Sequence, residues 1–511
     1  MDKLFRILKD QNLTEIGQDD INLLKKKDLI EFTNQDAVVY IRSIYRKKGL
    51  LYFIARRGID KRLYIVSEKS FPSDFPGDLK EHSGLYYREM ELTAETSEPL
   101  RHEFAFTKPI SLRQVRTTIG MGDRLGLATP GHIRAVKEFA ASPVLAQQSL
   151  RELSFTGRTY TDVVSDASWG VFQEGFEDGY GADGDHLKSI PSIDTALDAG
   201  MPMITLDLTE VMNPEAADWP FSKIEEAFSR LPGSKQERFM KEYSGRDFSI
   251  ANTVIRFTEE EAKRCAVTYG KALDFSEEVY HHIRKKRGDH FDLEISIDET
   301  TTPTLPSHHL FIARELEQRE IKINSLAPRF IGEFQKAVDY IGDTTEFQRQ
   351  FSLHCDIARN FGTYKISVHS GSDKFSVYPI IGNLTKVRLH LKTAGTSWLE
   401  AVAAIAEADP DLYRKIHEKA FSSFKENTKF YHITADPAAI PPVSGKSDHE
   451  LDAYLQNNDL RQTIHIAYGA VLQDPELGPR VYESLKKNEK LHYRKLQFHL
   501  GKHINLLGIN R

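Results

Sequence analysis

Two cysteines in 511 residues, Cys265 and Cys355, exclude a disulfide framework and a multi-cysteine zinc site. No apolar run is long enough to cross a bilayer, and the opening Met1-Asp2-Lys3-Leu4-Phe5 carries no extended apolar segment. An excess of charge is missing too. With 68 basic residues against 74 acidic ones, a net charge of -6 and no long basic run, a general nucleic-acid footprint is not expected. A dinucleotide fingerprint is also lacking, because Gly120-Met121-Gly122-Asp123-Arg124-Leu125 has no third glycine. What is present is an ordinary globular composition, 40% hydrophobic. The expectation is a cytoplasmic protein with no membrane or nucleic-acid partner and no nicotinamide. Its oligomeric state stays open, a homo-oligomer among the options.

The texture of the chain divides it into three. Residues 1–110 read as a small α+β accessory region with short β-rich runs at Val38 to Ile44, Leu50 to Ala55 and Arg62 to Val66. The basic cluster Arg46, Lys47 and Lys48 is expected as a solvated turn. From residue 111 to 407, short strands alternate with longer helical patterns, the signature of βα units. Residues 408–511 read as a mostly helical extension.

Eight candidate strands stand in the middle region: Thr117 to Gly120, Val144 to Gln147, Gly179 to Asp185, Met203 to Leu208, Phe291 to Ile297, Lys322 to Leu326, Lys365 to His369 and Arg388 to Lys392. Eight closes a (β/α)₈ TIM-like barrel. Thr205 and Asp207 alternate with Ile204, Leu206 and Leu208, and Glu294, Ser296 and Asp298 with Leu293, Ile295 and Ile297. Such polar faces point into a barrel, where charge is costly unless it serves a site. An open doubly wound sheet, the runner-up, would show continuous apolar runs. An insertion at about 209–257 follows strand four and fits either a lid or packing decoration.

Strand seven ends in His369-Ser370-Gly371-Ser372-Asp373, where backbone N–H groups ahead of a helix start at Asp373 would suit an anion. Strand eight ends in Lys392-Thr393-Ala394-Gly395-Thr396-Ser397, and Ser397 with Glu400 reads as a capping box. His186, His369 and His390, at the ends of strands three, seven and eight, suit one divalent ion, or else three separate hydrogen-bonded histidines. Adjacent strand residues face opposite ways, so Asp185 and His186 share a cavity only if they leave the regular strand. Asp185 and Glu294 would enter from different sides as an acid/base pair, unless Glu294 is a buried partner for Lys365 or Arg388. Arg461 and His465 lie four apart on one helical face.

Asp183-Gly184-Asp185-His186-Leu187-Lys188, Ser296-Ile297-Asp298-Glu299-Thr300, the His369 to Phe375 segment and Lys392 to Ser397 together resemble the motifs of the tagaturonate epimerase family. The resemblance runs from about Thr118 to Tyr468 and takes in Gly122 to Gly126 and Gln147-Gln148-Ser149. It implies interconversion of D-tagaturonate and D-fructuronate, with Asp185 and Glu294 as acid/base pair and His186 and His369 as metal ligands. His390 is added from strand geometry. The implied cofactor is a divalent cation (zinc, manganese, cobalt or nickel) and the implied partner a small keto sugar acid. Asp123, Arg124, Gln147, Gln148, Asp298, Ser370, Ser372, Lys392, Thr396 and Arg461 are expected to bind it.

The inverted carbon lies β to the ketone, so that carbonyl does not acidify its C–H. That excludes simple enolisation, and the missing dinucleotide fingerprint leaves retro-aldol cleavage and re-addition through a metal-stabilised enediolate favoured over transient oxidation. The alternatives are a ketohexose 4-epimerase and a metal-dependent aldolase on a keto sugar acid. A noncatalytic sugar-binding protein ranks last.

Overall fold

Eight parallel strands close on themselves in chain order: Thr117–Gly120, Ser142–Ser149, Gly181–Leu187, Met203–Asp207, Asp292–Ile297, Ser325–Pro328, Lys365–Val368 and Leu389–Lys392. The eighth meets the first with Leu389 opposite Thr117. The computed structural model describes residues 1–27, 29–300 and 302–510. Period-two alternation does what the sequence requires. Ile204, Leu206, Leu293, Ile295, Leu389 and Leu391 join the core shared with the surrounding helices, while Thr205, Asp207, Glu294 and Ser296 are buried inside the barrel. The sixth strand starts later than expected. Lys322 lies outside it, and pairing with strand five begins at Ser325, opposite Glu294.

The insertion folds as two helices, Phe221–Ser229 and Gly233–Tyr243, and an antiparallel hairpin, Arg246–Ile250 with Thr253–Phe257. It precedes the long helix Glu259–Arg287. Tyr243 packs on Phe257 and on Phe311 of helix Pro306–Gln318, which anchors the later part of the insertion on the barrel's flank, and the residues lining the cleft come from outside 209–257.

Before the barrel, an antiparallel sheet built around Leu50–Arg57 and Asp60–Ser67 docks through Tyr45 and Phe104 on Trp169 and Phe172 of helix Tyr160–Glu174. Arg46 is not a solvated turn residue. Its guanidinium donates to the carbonyls of Leu13, Thr14 and Ile16, tying the N-terminal helices to the sheet.

After the barrel, the helical extension shares a second core with helix Thr396–Ala408. The last helix, Glu489–Leu506, returns to the barrel helix Thr129–Val136, and Gly131 permits the approach: a Cβ there would stand 2.8 Å from Leu496 Cδ1. The capping box read at Ser397 does not form. Ser397 Oγ meets His132 Nε2 at 2.8 Å instead, and Glu400 lies 3.4 Å from His499 Nδ1.

Candidate active site

Strand three is interrupted where its chemistry sits. His186 adopts φ 54°, in the left-handed region, and the pairing register with strand four shifts between Gly184 and Leu187. A regular strand would point Asp185 and His186 to opposite faces. The irregularity brings both to the cleft at the carboxyl ends of the strands, and such backbone is costly for a non-glycine residue unless its surroundings hold it.

Lys392, ending strand eight, is the hub beneath that cleft. Its ammonium lies 2.7 Å from Asp185 Oδ1, 3.1 Å from Asp183 Oδ2, 2.8 Å from Glu294 Oε1 and 2.6 Å from Thr205 Oγ1. One buried cation thus faces three buried carboxylates. Burial pushes all three acids up, and Lys392 opposes it. For Asp185 and Glu294 that charge wins, with histidine help, holding both well below the usual carboxylate range, whereas Asp183 stays raised. Lys392 is thus paired with the protein's own acids where it meets the cleft.

His369 Nε2 donates to Glu294 Oε1 at 2.6 Å, and its Nδ1 points at Asp298 Oδ1 at 3.0 Å. His186 stands edge-on to His369, ring centroids 4.9 Å apart, with Nδ1 3.3 Å from Asp207 Oδ2 and Nε2 3.8 Å from Asp185 Oδ1. Burial lowers the His186 pKa, but Asp185, Asp207, Asp298 and Glu299 outweigh it and push it up to about 10. A site that binds a proton so firmly favours positive charge. His186, Asp298 and His369 offer ligand atoms within 4.8 Å of one another, and a second group, His186 with Asp207 and Glu299, shares one of them. With Nε2–H given to Glu294, His369 Nδ1, 3.0 Å from Asp298, is the ring nitrogen that would face a cation in exchange for its proton. The donor set fits a divalent ion.

His390 is not in that group. Its Nδ1 meets Thr118 Oγ1 at 2.9 Å deeper in the barrel, and Asp298 takes the place the spacing assigned to it.

The cleft above has a volume of about 700 Å³. Of the expected residues, Arg124, Asp185, His186, Asp298, His369, Ser370, Ser372, Lys392 and Thr396 line it, and so does His465. Others stand back. Glu294 is fully buried beneath the floor, saturated by Lys392, His369, Ser325 and Thr205. Gln147 bonds Asp183 below the floor at 3.1 Å, and the buried Gln148 does not reach the cleft. Asp123 turns its carboxylate onto the N–H groups of Leu125, Gly126 and Ala128. Arg461 pairs with Asp373 at 3.2 Å. The expected anion cradle after strand seven is partly used up, because Gly371 N–H donates to Lys392 O, Asp373 N–H donates to His503 Nε2, and the next helix begins only at Tyr378.

Sequence reasoning missed Asp183, which period two places on the face of Asp185, and it missed Arg151, Lys336, Phe430, Tyr431 and His432 on the cleft wall. The last three come from the C-terminal extension, and no spacing rule announces them.

A closed barrel whose strand ends converge carboxylates, two histidines and a lysine on one cleft has the architecture of the (β/α)₈ enzymes. The tagaturonate epimerase family profile, UxaE, matches residues 40–507. The tagaturonate/fructuronate epimerase of Thermotoga maritima is 39% identical over 470 residues, covering 92% of this chain and 96% of its own. The glycerol-complexed crystal structure of the fructuronate-tagaturonate epimerase UxaE from Cohnella laeviribosi matches with TM-score 0.89 and 40% identity, over 92% of this chain and 96% of that one. The native crystal structure of the same enzyme matches with TM-score 0.89 and 40% identity over 93% and 97%. The chain belongs to the tagaturonate epimerase family.

Proposed function

We propose that this protein interconverts D-tagaturonate and D-fructuronate by breaking and remaking a carbon–carbon bond, with the cluster His186, Asp298 and His369 holding a divalent cation. The supporting observation is the cleft itself: Asp185, held by Lys392, reaches it beside two histidines whose ring nitrogens lie with an Asp298 carboxylate oxygen within 4.8 Å of one another. When bound, the cation supplies Lewis-acid charge for the substrate's oxygens.

Asp185 takes the proton from the hydroxyl on the carbon β to the ketone. That oxygen becomes an aldehyde, the bond between the α and β carbons breaks, and its electron pair passes into the ketone as an enediolate. The aldehyde turns, the enediolate carbon attacks its other face, and the proton returns to the new alkoxide, so atoms and electrons balance. Lys392 keeps Asp185 ionised and in place. Glu294 acts through its neighbours, fixing the His369 tautomer and sharing Lys392, in place of the direct acid/base role that the resemblance implies. Retaining both fragments in the cleft until the bond is remade is what separates an epimerase from an aldolase using the same step.

The test is turnover of tagaturonate in D₂O with each of zinc, manganese, cobalt and nickel. The epimerised carbon keeps its own hydrogen if the bond broken there is carbon–carbon. Solvent deuterium at that carbon rules the route out, and free aldehyde fragments identify an aldolase.

A further inference from the structure

After strand six the chain crosses the cleft wall at residues 335–338, and buried side chains hold this loop from behind. Lys374 Nζ donates to Gln335 O at 2.8 Å and to Val338 O at 2.6 Å. Gln462 Nε2 donates to Lys336 O at 3.1 Å, and Arg461 Nε to Ala337 O at 3.1 Å. Four successive carbonyls are each engaged by a donor from the strand-seven loop or from helix Asn458–Ile466. The Gln335 side chain is fixed as well, its Oε1 accepting from Thr434 and Gln462. Arg461, expected at the substrate, is thus a positioning residue.

The one charged side chain this braced loop offers the cleft is that of Lys336, which is half-buried. Among the described residues its ammonium has no hydrogen-bond or ion-pair partner. The neighbouring cations are engaged: Arg124 Nε and Nη2 with Glu152 at 2.9 and 2.8 Å, its Nη1 without a partner, and Arg151 with Phe430 O at 3.2 Å and the Tyr431 ring. Burial and the charges of Arg151 and Arg124 lower the Lys336 pKa, while Glu152 and Asp185 oppose them, so an incoming anion is favoured there.

We propose that Lys336 binds the substrate's carboxylate and makes this site selective for keto sugar acids over neutral ketoses. The assignment rests on the epimerase reading above. It gives the carboxylate a pre-positioned cation that forms no ion pair among the described residues, which is how a fixed charge discriminates between ligands.

The experiment compares Lys336→Met and Lys336→Arg with the wild-type protein, loaded with metal, on tagaturonate and on tagatose. Losing a hydrogen bond to a charged group lowers kcat/KM for tagaturonate roughly 10- to 150-fold in Lys336→Met. Tagatose turnover stays within about twofold, and Lys336→Arg recovers part of the uronate loss. Equal loss on both sugars, or none on either, overturns the proposal. Binding of glycerate and glycerol, followed by NMR, tests the same contact without turnover: glycerate weakens about tenfold or more in Lys336→Met and glycerol does not. Unchanged glycerate binding overturns the assignment. A wild-type protein inactive on tagaturonate overturns the epimerase reading, while the glycerate arm still judges Lys336.

Discussion

His369 Nε2 donates to Glu294 Oε1 across 2.6 Å, and the carboxylate that receives this bond has no exposure to the cleft. A carboxylate behind a ligand histidine fixes which nitrogen keeps its lone pair. Glu294→Gln is therefore expected to weaken metal binding about 10- to 100-fold and to lower activity with it. Metal content by atomic absorption, read beside kcat, decides. Full metal content with a large loss of kcat would make Glu294 a proton-transfer group in its own right.

Asp185 differs, because it reaches the cleft. Asp185→Asn keeps shape and most hydrogen bonds but cannot accept a proton, so kcat is expected to fall by roughly 10² to 10⁴ with metal content kept. Near-normal turnover would move the proton acceptor to Asp298 or Glu299.

His186→Ala and His369→Ala are expected to lose the bound cation while remaining folded, and chelation of the wild-type protein is expected to abolish turnover. His390→Ala is expected to retain metal, since its ring lies with Thr118 below the site. Circular dichroism and metal analysis on the same samples separate ligand loss from unfolding. Full activity after chelation would refute the metal's role.

Gly395 lets the His465 ring sit against the cleft wall, since a Cβ on it would stand 2.0 Å from His465 Nε2. Gly395→Ala is expected to displace the ring, costing about 1–3 kcal/mol from overpacking and lowering kcat/KM. His465→Ala in the same chain should relieve the clash, so a double-mutant cycle on urea midpoints is expected to show clear non-additivity. Additive effects would contradict it.

Burial holds His132, His354, His417 and His492 down at about 4. An unfolded histidine titrates near 6.5, so between about pH 6.5 and 4 the unfolded chain binds more protons than the folded one. The stabilisation from keeping these rings neutral is complete above about pH 6.5 and is lost as pH falls toward 4, by up to ~1.4 kcal/mol per pH unit for each ring. Urea midpoints should drop steeply from pH 6.5 to 4.5. A flat profile across that window would show that these rings are protonated in the folded state.

The local pattern carried the barrel. Alternation in Thr205-Leu206-Asp207 and Leu293-Glu294-Ile295 states which side chains pack helices and which face the interior, because period two is a property of the strand alone. Asp185, His186 and His369 were legible for the same reason: strand ends are where barrel side chains meet. Tertiary structure decided what each does. Glu294 and Asp185 both belong to inward-facing strand residues, yet depth within the barrel buries one under Lys392 and His369 and leaves the other at the cleft. His390 has the same strand-end position as a ligand, but its ring turns to Thr118. Lys336 carries no sequence signal, because its role comes from Lys374, Arg461 and Gln462, distant in the chain, closing on four consecutive carbonyls. Periodicity reports which face a residue occupies, whereas depth, competing partners and long-range bracing exist only once the chain has closed on itself.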